Sequence, residues 1–129
     1  MVNVETLPAV YARIENRPGS LERAARCLGE RRINIEAIGL ETNGGIGFVR
    51  VLTPRAKEAI EALHAHGLEA YESSLIVANV PNRAGELTKA TSEITAAGIN
   101  VESVITTTDG RLAFRTSDNE RAAQILRKM

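Results

Sequence analysis

Glu15-Asn16-Arg17-Pro18-Gly19-Ser20-Leu21 lies between an alternating apolar run, residues 10–14, and a helically spaced run, residues 21–32. An alternating stretch that gives way to a 3.6-residue period reads as a strand-to-helix turn. A glycine in such a turn brings backbone N–H groups close to whatever lies outside it, because no Cβ stands in the way. The stretch has an echo sixty-six positions later, Pro81-Asn82-Arg83-Ala84-Gly85-Glu86-Leu87. Two such turns in a short chain point to two small-molecule sites, or to one site shared between two modules.

Moving outward from the loops, residues 9–63 set against 75–129 without a gap give 14 identities in 55 positions, among them Asn16/Asn82, Gly19/Gly85, Leu21/Leu87, Asn34/Asn100, Phe48/Phe114 and Arg55/Arg121. A fixed internal period overrides the single domain that 129 residues would otherwise suggest. The chain therefore reads as two modules, residues 1–67 and 68–129. A module of about 60 residues buries only about 60% of its unfolded surface, so each is expected to need a neighbour.

Both halves follow one plan. A half-buried strand leads into a helix with its apolar stripe at Leu21, Ala24 and Leu28, or at Leu87, Ala90 and Ile94. A strand follows from Asn34 or Asn100. Asn43-Gly44 and Asp109-Gly110 then suit tight hairpin turns that need positive φ, and return strands run through Phe48 and Phe114, which are expected in the core. A second helix begins after Pro54, or near Ser117-Asp118. Its stripe is Ala59, Ile60 and Leu63 in one half, matched with Ile125, Leu126 and Met129 in the other. Each half is thus β-α-β-β-α and lacks one strand of a ferredoxin-like α+β sandwich. Residues 2–6 and 68–72 stand in the same register and can supply it. The expected fold is two ferredoxin-like sandwiches, each an antiparallel sheet with two helices, either circularly permuted or strand-exchanged, with bends at residues 6–8 and 72–74.

Lysine plus arginine and aspartate plus glutamate balance at 16 each, which gives no electrostatic case for nucleic acid or an anionic membrane. One cysteine, Cys27, excludes an internal disulfide and a cysteine metal cluster. With no signal peptide and no apolar run near 18 residues, a soluble, cytoplasmic protein is expected. No metal and no cofactor is expected.

The chemistry of the loops comes from their position. A helix start carries unpaired N–H donors and partial positive charge, and holds a carboxylate without a basic side chain. Asn16 and Asn82 place an amide beside it, and Asn34 and Asn100 open the following strand. Amides and helix-end donors together suit a zwitterion. The plainer reading keeps Asn16 and Asn34 as turn residues that bond their own backbone.

Asn16-Arg17-Pro18-Gly19-Ser20-Leu21 followed by Ile33-Asn34-Ile35 resembles the signature of the ACT domain, a ferredoxin-like module that senses amino acids in biosynthetic enzymes and regulators. The loop and the later asparagine are similar to the serine-sensing tail of phosphoglycerate dehydrogenase. Ile99-Asn100-Val101-Glu102-Ser103 resembles the matching strand of acetolactate synthase regulatory subunits. The resemblance spans the chain as two tandem copies. It implies a non-catalytic, stand-alone regulatory protein with a free amino acid bound between modules, a homodimer, and a biosynthetic enzyme or regulator as partner. Carried over residue by residue, one site takes Asn16, Arg17, Pro18, Gly19, Ser20 and Leu21, with Asn34 and Ile35 from a facing module. The other takes Asn82, Arg83, Gly85, Glu86 and Leu87, with Asn100 and Val101. Ile14 and Val80 stand where the serine-sensing pattern has histidine, which argues against serine. Ala84 and Glu86 depart from the pattern in the second loop, so the first is expected to be the better site.

Two other classes compete. For an enzyme, the histidines are His64 and His66, at a helix end where a cap role is the simpler account; neither a nucleophile–base pair nor a phosphate loop followed by Lys-Ser/Thr is present. For an RNA-binding module of the same strand order, base stacking needs strand aromatics, and beyond Phe48 and Phe114 the chain has only Tyr11 and Tyr71. A regulatory subunit that docks on an amino-acid biosynthetic enzyme or transcription regulator without binding ligand itself is the alternative left open.

Overall fold

The computed structural model describes residues 2–129. Along them run β1 (Val4–Glu15), α1 (Ser20–Glu30), β2 (Ala37–Asn43), β3 (Ile46–Leu52), α2 (Ala56–Ala65), β4 (Glu69–Ala78), α3 (Glu86–Ala96), β5 (Val101–Thr106), β6 (Leu112–Thr116) and α4 (Asn119–Arg127). Contacts divide the chain into two compact units. One is Pro8–Ser74; the other joins the segment up to Leu7 with Leu75–Met129.

The first unit uses β1 from Pro8 onward and β4 as far as Ser74, in the strand order β2-β3-β1-β4. With α1 and α2 this is the β-α-β-β-α-β sandwich. Its core is Val10, Ala12 and Ile14 of β1 against Val49 and Val51 of β3, closed by Leu28 of α1 and Leu63 of α2. Cys27 is buried in the same core, and burial raises its thiol pKa. The second unit has the order β1-β4-β6-β5, with its fourth strand taken from the start of the chain. Val2 and Val4 pack on its core beside Ile76, Ile94 and Phe114. Asn79 N–H donates to the Asn3 carbonyl at 3.0 Å, Arg127 to the Val4 carbonyl at 3.3 Å, and Arg111 meets Glu5 at 3.5 Å. The extra strands are therefore exchanged: the N-terminal one completes the unit with the second loop, and the start of β4 completes the unit with the first. The expected bends do not interrupt the strands, since β1 and β4 run unbroken through residues 6–8 and 72–74.

Beyond the hairpins the two halves lose the 66-residue register. In the first, Leu40 pairs with Val49 and Ile38 with Val51. In the second, Thr106 pairs with Leu112 and Val104 with Phe114. Eight residues separate Leu40 from Val49 and five separate Thr106 from Leu112, so the return strand of the second half comes three residues early. The true counterparts after the hairpin are 63 apart. Thr53 Oγ1 accepts Arg55 N–H and Thr116 Oγ1 accepts Asp118 N–H, each at 3.2 Å, and Ala59 and Leu63 answer to Ala122 and Leu126. The gapless alignment is thus corrected. Three is odd, and a strand shifted by an odd number turns every side chain to the opposite face. Phe114 is accordingly 0% exposed in the core, whereas Phe48 is 47% exposed, paired with Arg13 and Glu41 away from it. The expectation of two core phenylalanines holds for Phe114 and fails for Phe48.

The turns differ too. The first is Gly44-Gly45, with positive φ at Gly44, so the Asn43-Gly44 type I′ turn is replaced by the II′ pattern. The second is a longer loop. Thr107 N–H reaches the Arg111 carbonyl at 2.8 Å and Gly110 takes φ +88°. Asp109 accepts from Thr107 Oγ1 at 2.5 Å and pairs with Arg111 at 3.0 Å, and those two bonds hold its carboxyl below the usual range.

Helices α1 and α3 end alike, with Ile33 N–H on the Leu28 carbonyl and Ile99 N–H on the Ile94 carbonyl. That closure needs a left-handed residue just past the helix. Gly98 fills the role at φ +75°, but its repeat counterpart is Arg32 at φ +55°. A side chain in that region costs about 1–2 kcal/mol, part of which a glycine's unfolded-state entropy takes back. Arg32→Gly is expected to raise stability by about 0.5–1 kcal/mol in urea unfolding; an unchanged or lower midpoint would contradict this.

Candidate functional site

Both loops adopt one conformation. Gly19 and Gly85 each stand at φ +88°, ahead of α1 and α3. Ser20 N–H bonds the Arg17 carbonyl and Arg23 N–H the Gly19 carbonyl; Glu86 N–H bonds the Arg83 carbonyl and Lys89 N–H the Gly85 carbonyl. Any other residue at Gly19 or Gly85 would be strained, although open space surrounds the absent Cβ.

The surroundings of the loops differ. The longer first hairpin reaches back to Asn16, whose backbone N–H donates to Gly45 at 3.0 Å and whose side-chain amide donates to the Gly44 carbonyl at 2.9 Å. That amide thus acts at least as a turn residue. Between loop, hairpin and the α2–β4 turn lies a cleft of about 470 Å³, lined by Arg17, Pro18, Gly19 and Ser20 of the loop, Gly45 and Ile46 of the hairpin, and Gly67, Leu68 and Glu69 of the turn. Arg13, Ile14 and Glu15 of β1 and Arg23 of α1 complete it. The second hairpin stops three residues shorter. There Glu86 stands in the first turn of α3, its side chain 16% exposed, with Arg83 at 3.5 Å and Lys89 at 3.4 Å. A protein carboxylate thus sits where a helix start attracts an anion.

Leu21 does not line this cleft. It is exposed, near Ile38 of the edge strand β2, on which Leu40 is exposed too. Leu87 and Val104 are its exposed counterparts. Asn34 follows α1 and so lies at the end of that helix away from Gly19, about 16 Å off at 1.5 Å per residue. Ile35 packs against the first core. Asn100 makes two bonds to Ser117 through its backbone, its N–H donating to the Ser117 side-chain Oγ and its carbonyl accepting Ser117 N–H, both at 2.9 Å; Val101 opens β5 beside it. Within one unit, then, the loop residues come together, while Asn34 and Asn100 stand apart from them.

Sequence reading missed Arg13, Glu15, Arg23, Gly67 and Glu69. They come from three segments and meet only through the α1–α2 packing and the β1–β4 neighbourhood. Arg23 donates to the His66 carbonyl, Arg17 pairs with Glu15 at 3.0 Å and Arg13 with Glu69 at 3.9 Å. His66 Nδ1 lies 3.0 Å from the Ala62 carbonyl, a helix-end role, and His64 Nε2 lies 3.1 Å from the Ala70 carbonyl, which ties α2 to β4. Among the described residues no group of three or more His, Cys, Asp or Glu could hold a metal ion, and no helix is long and apolar enough to cross a membrane.

A family model described as an ACT domain pair matches residues 5–129. No curated protein matches the chain. Among solved structures it is similar to protein BT0572 of Bacteroides thetaiotaomicron, with a TM-score of 0.87 and 20% identity over 97% of this chain and 89% of that one. It is also similar to the regulatory subunit of aspartate kinase from Thermus thermophilus in its ligand-free form, with a TM-score of 0.74 and 19% identity over 98% of this chain and 95% of that one.

Proposed function

Because the chain belongs to the ACT domain family, as a pair of such domains, we propose that it is a non-catalytic cytoplasmic regulator that binds a free amino acid and passes that state to a partner. The observation that carries this reading is the first loop: an open helix start with a left-handed glycine, braced by Asn16 on the long hairpin, beside a cleft of ligand size. The residues proposed to hold the ligand are the stretch from Asn16 to Leu21, with Asn34 and Ile35 of a facing module, since in one unit they lie at opposite ends of α1. The second set, Asn82, Arg83, Gly85, Glu86 and Leu87 with Asn100 and Val101, is the weaker site, because Glu86 competes with a ligand carboxylate. The repeated segments 1–67 and 68–129 are proposed as the duplicated units, and the protein as a homodimer. Its partner is proposed to be an amino-acid biosynthetic enzyme or a regulator, by analogy with the kinase subunit.

Ligand binding regulates by favouring one packing of the modules, to the extent that it binds that packing better. Docking without a ligand is the second reading, favoured by the exposed apolar edge of Leu21, Ile38 and Leu40. A thermal-shift panel of the twenty amino acids at millimolar concentration separates the two. A ligand at 100 times its Kd stabilises by about 2.7 kcal/mol, which is several degrees for a chain of this size. At least one amino acid is expected to raise the midpoint, and Asn16→Ala is expected to weaken that shift more than Asn82→Ala. A flat panel removes the sensing reading, and the reverse order of the two variants removes the ranking of the loops.

A further inference from the structure

We propose that the cleft beside the first loop selects an acidic amino acid, aspartate or glutamate, with Arg13, Arg17, Arg23, Glu15 and Glu69 as the residues that recognise it. This names the ligand class for the amino-acid-sensing reading and rests on it.

The cleft walls carry charges of both signs. Three arginines, Arg13, Arg17 and Arg23, and two glutamates, Glu15 and Glu69, line it, a sum of +3 − 2 = +1. Glu15 lies 3.0 Å from Arg17, and Glu69 lies at the looser distance of 3.9 Å from Arg13. Arg23 is bonded to a neutral carbonyl, that of His66, and among the described residues no carboxylate pairs with it. A ligand with two carboxylates and one ammonium matches this set: carboxylates toward Arg23 and the loop arginine, ammonium toward Glu69. Guanidinium–carboxylate bonds are charge-assisted and roughly twice as strong as neutral ones. A neutral amino acid leaves Arg23 unanswered, and a basic one adds like charge.

The second module lacks the same set. Asn79 stands at the repeat position of Arg13, and Lys89, at that of Arg23, is held by Glu86. The cleft also needs Gly45 and Ile46, which the shorter second hairpin does not provide. Two features of the first half alone thus coincide, the longer hairpin and the surplus arginine.

Isothermal titration calorimetry on the full chain tests this, with L-aspartate, L-glutamate, L-asparagine and L-glutamine at low and high salt. Aspartate or glutamate is expected to bind at least about tenfold tighter than its amide, with the preference shrinking at high salt as exposed charges are screened. Arg23→Gln, which keeps a donor for the His66 carbonyl, is expected to lower the preferred affinity by about tenfold. Arg17→Gln, at a well-exposed position that carries little of the fold, is expected to lower it severalfold. Equal affinity for acid and amide, or no loss with either arginine variant, overturns the proposal. A neutral amino acid that binds, and is lost with Asn16→Ala but not with the arginine variants, leaves sensing in place and removes this specificity. If none of these four binds and none of the twenty shifts the thermal midpoint, both fall.

Discussion

Phe114→Ala will destabilise the protein by about 3–5 kcal/mol, the range for deleting a phenylalanine from a packed core, while Phe48→Ala will cost no more than about 1 kcal/mol, as for a surface position. The two residues occupy one position of the 66-residue repeat, and a sequence comparison would give them one role. Phe114 is fully buried in one core with Ile76, Ile94 and Leu126. Phe48 faces away from the first core, opposite Arg13 and Glu41. Urea unfolding of the two variants, read by far-UV circular dichroism, measures the contrast. Equal losses would mean that the three-residue offset after the hairpin is wrong.

The second large effect concerns the start of the chain. Deleting residues 2–7 is expected to cost about 3 kcal/mol or more and to fall on the second unit. The cut removes Val2 and Val4 from its core, each worth up to about 1.5–3 kcal/mol if fully buried. It also strips the acceptor from Asn79 N–H and from Arg127 and exposes a strand edge. Against a total of about 5–15 kcal/mol for a small domain, that is a large share. Hydrogen exchange locates the damage: amides of β6 and α4 are expected to lose protection, while those of α1 and β3 keep most of theirs. Uniform loss through the chain, or none, would contradict the assignment of the first strand to the second unit.

Much of this architecture was legible without coordinates. The loops could be read because their physics is local: a left-handed residue ahead of a helix calls for glycine, and Gly19 and Gly85 both take φ +88°. The apolar stripes were legible for the same reason at Ala24 and Leu28 of α1 and at Ala90 and Ile94 of α3, since a helix brings together residues three and four apart, whereas Leu21 and Leu87 of the expected stripes are exposed. The repeat showed the element order, and the spare strands at residues 2–6 and 68–72 were visible as elements in want of partners. The hairpins were read less well. Gly44 and Gly110 were identified as turn glycines, yet the lengths of the two loops were not, and an odd difference in length decides which face Phe48 shows.

What the sequence alone determined, then, is a tandem duplication with two like loops, and a family whose signature lies in those local stretches. What only the tertiary structure decided is every pairing between distant segments. It decided that the N-terminal strand completes the second unit and β4 the first, because a strand's pattern records which of its faces is buried and not which edge it joins. It decided that Glu86, in the first turn of its helix, is held by Arg83 and Lys89, while Ser20 lines an open cleft beside the first start. And it brought Arg13, Arg23 and Glu69 together across more than fifty residues of chain, through the packing of α1 on α2, where no spacing rule in the sequence could have placed them.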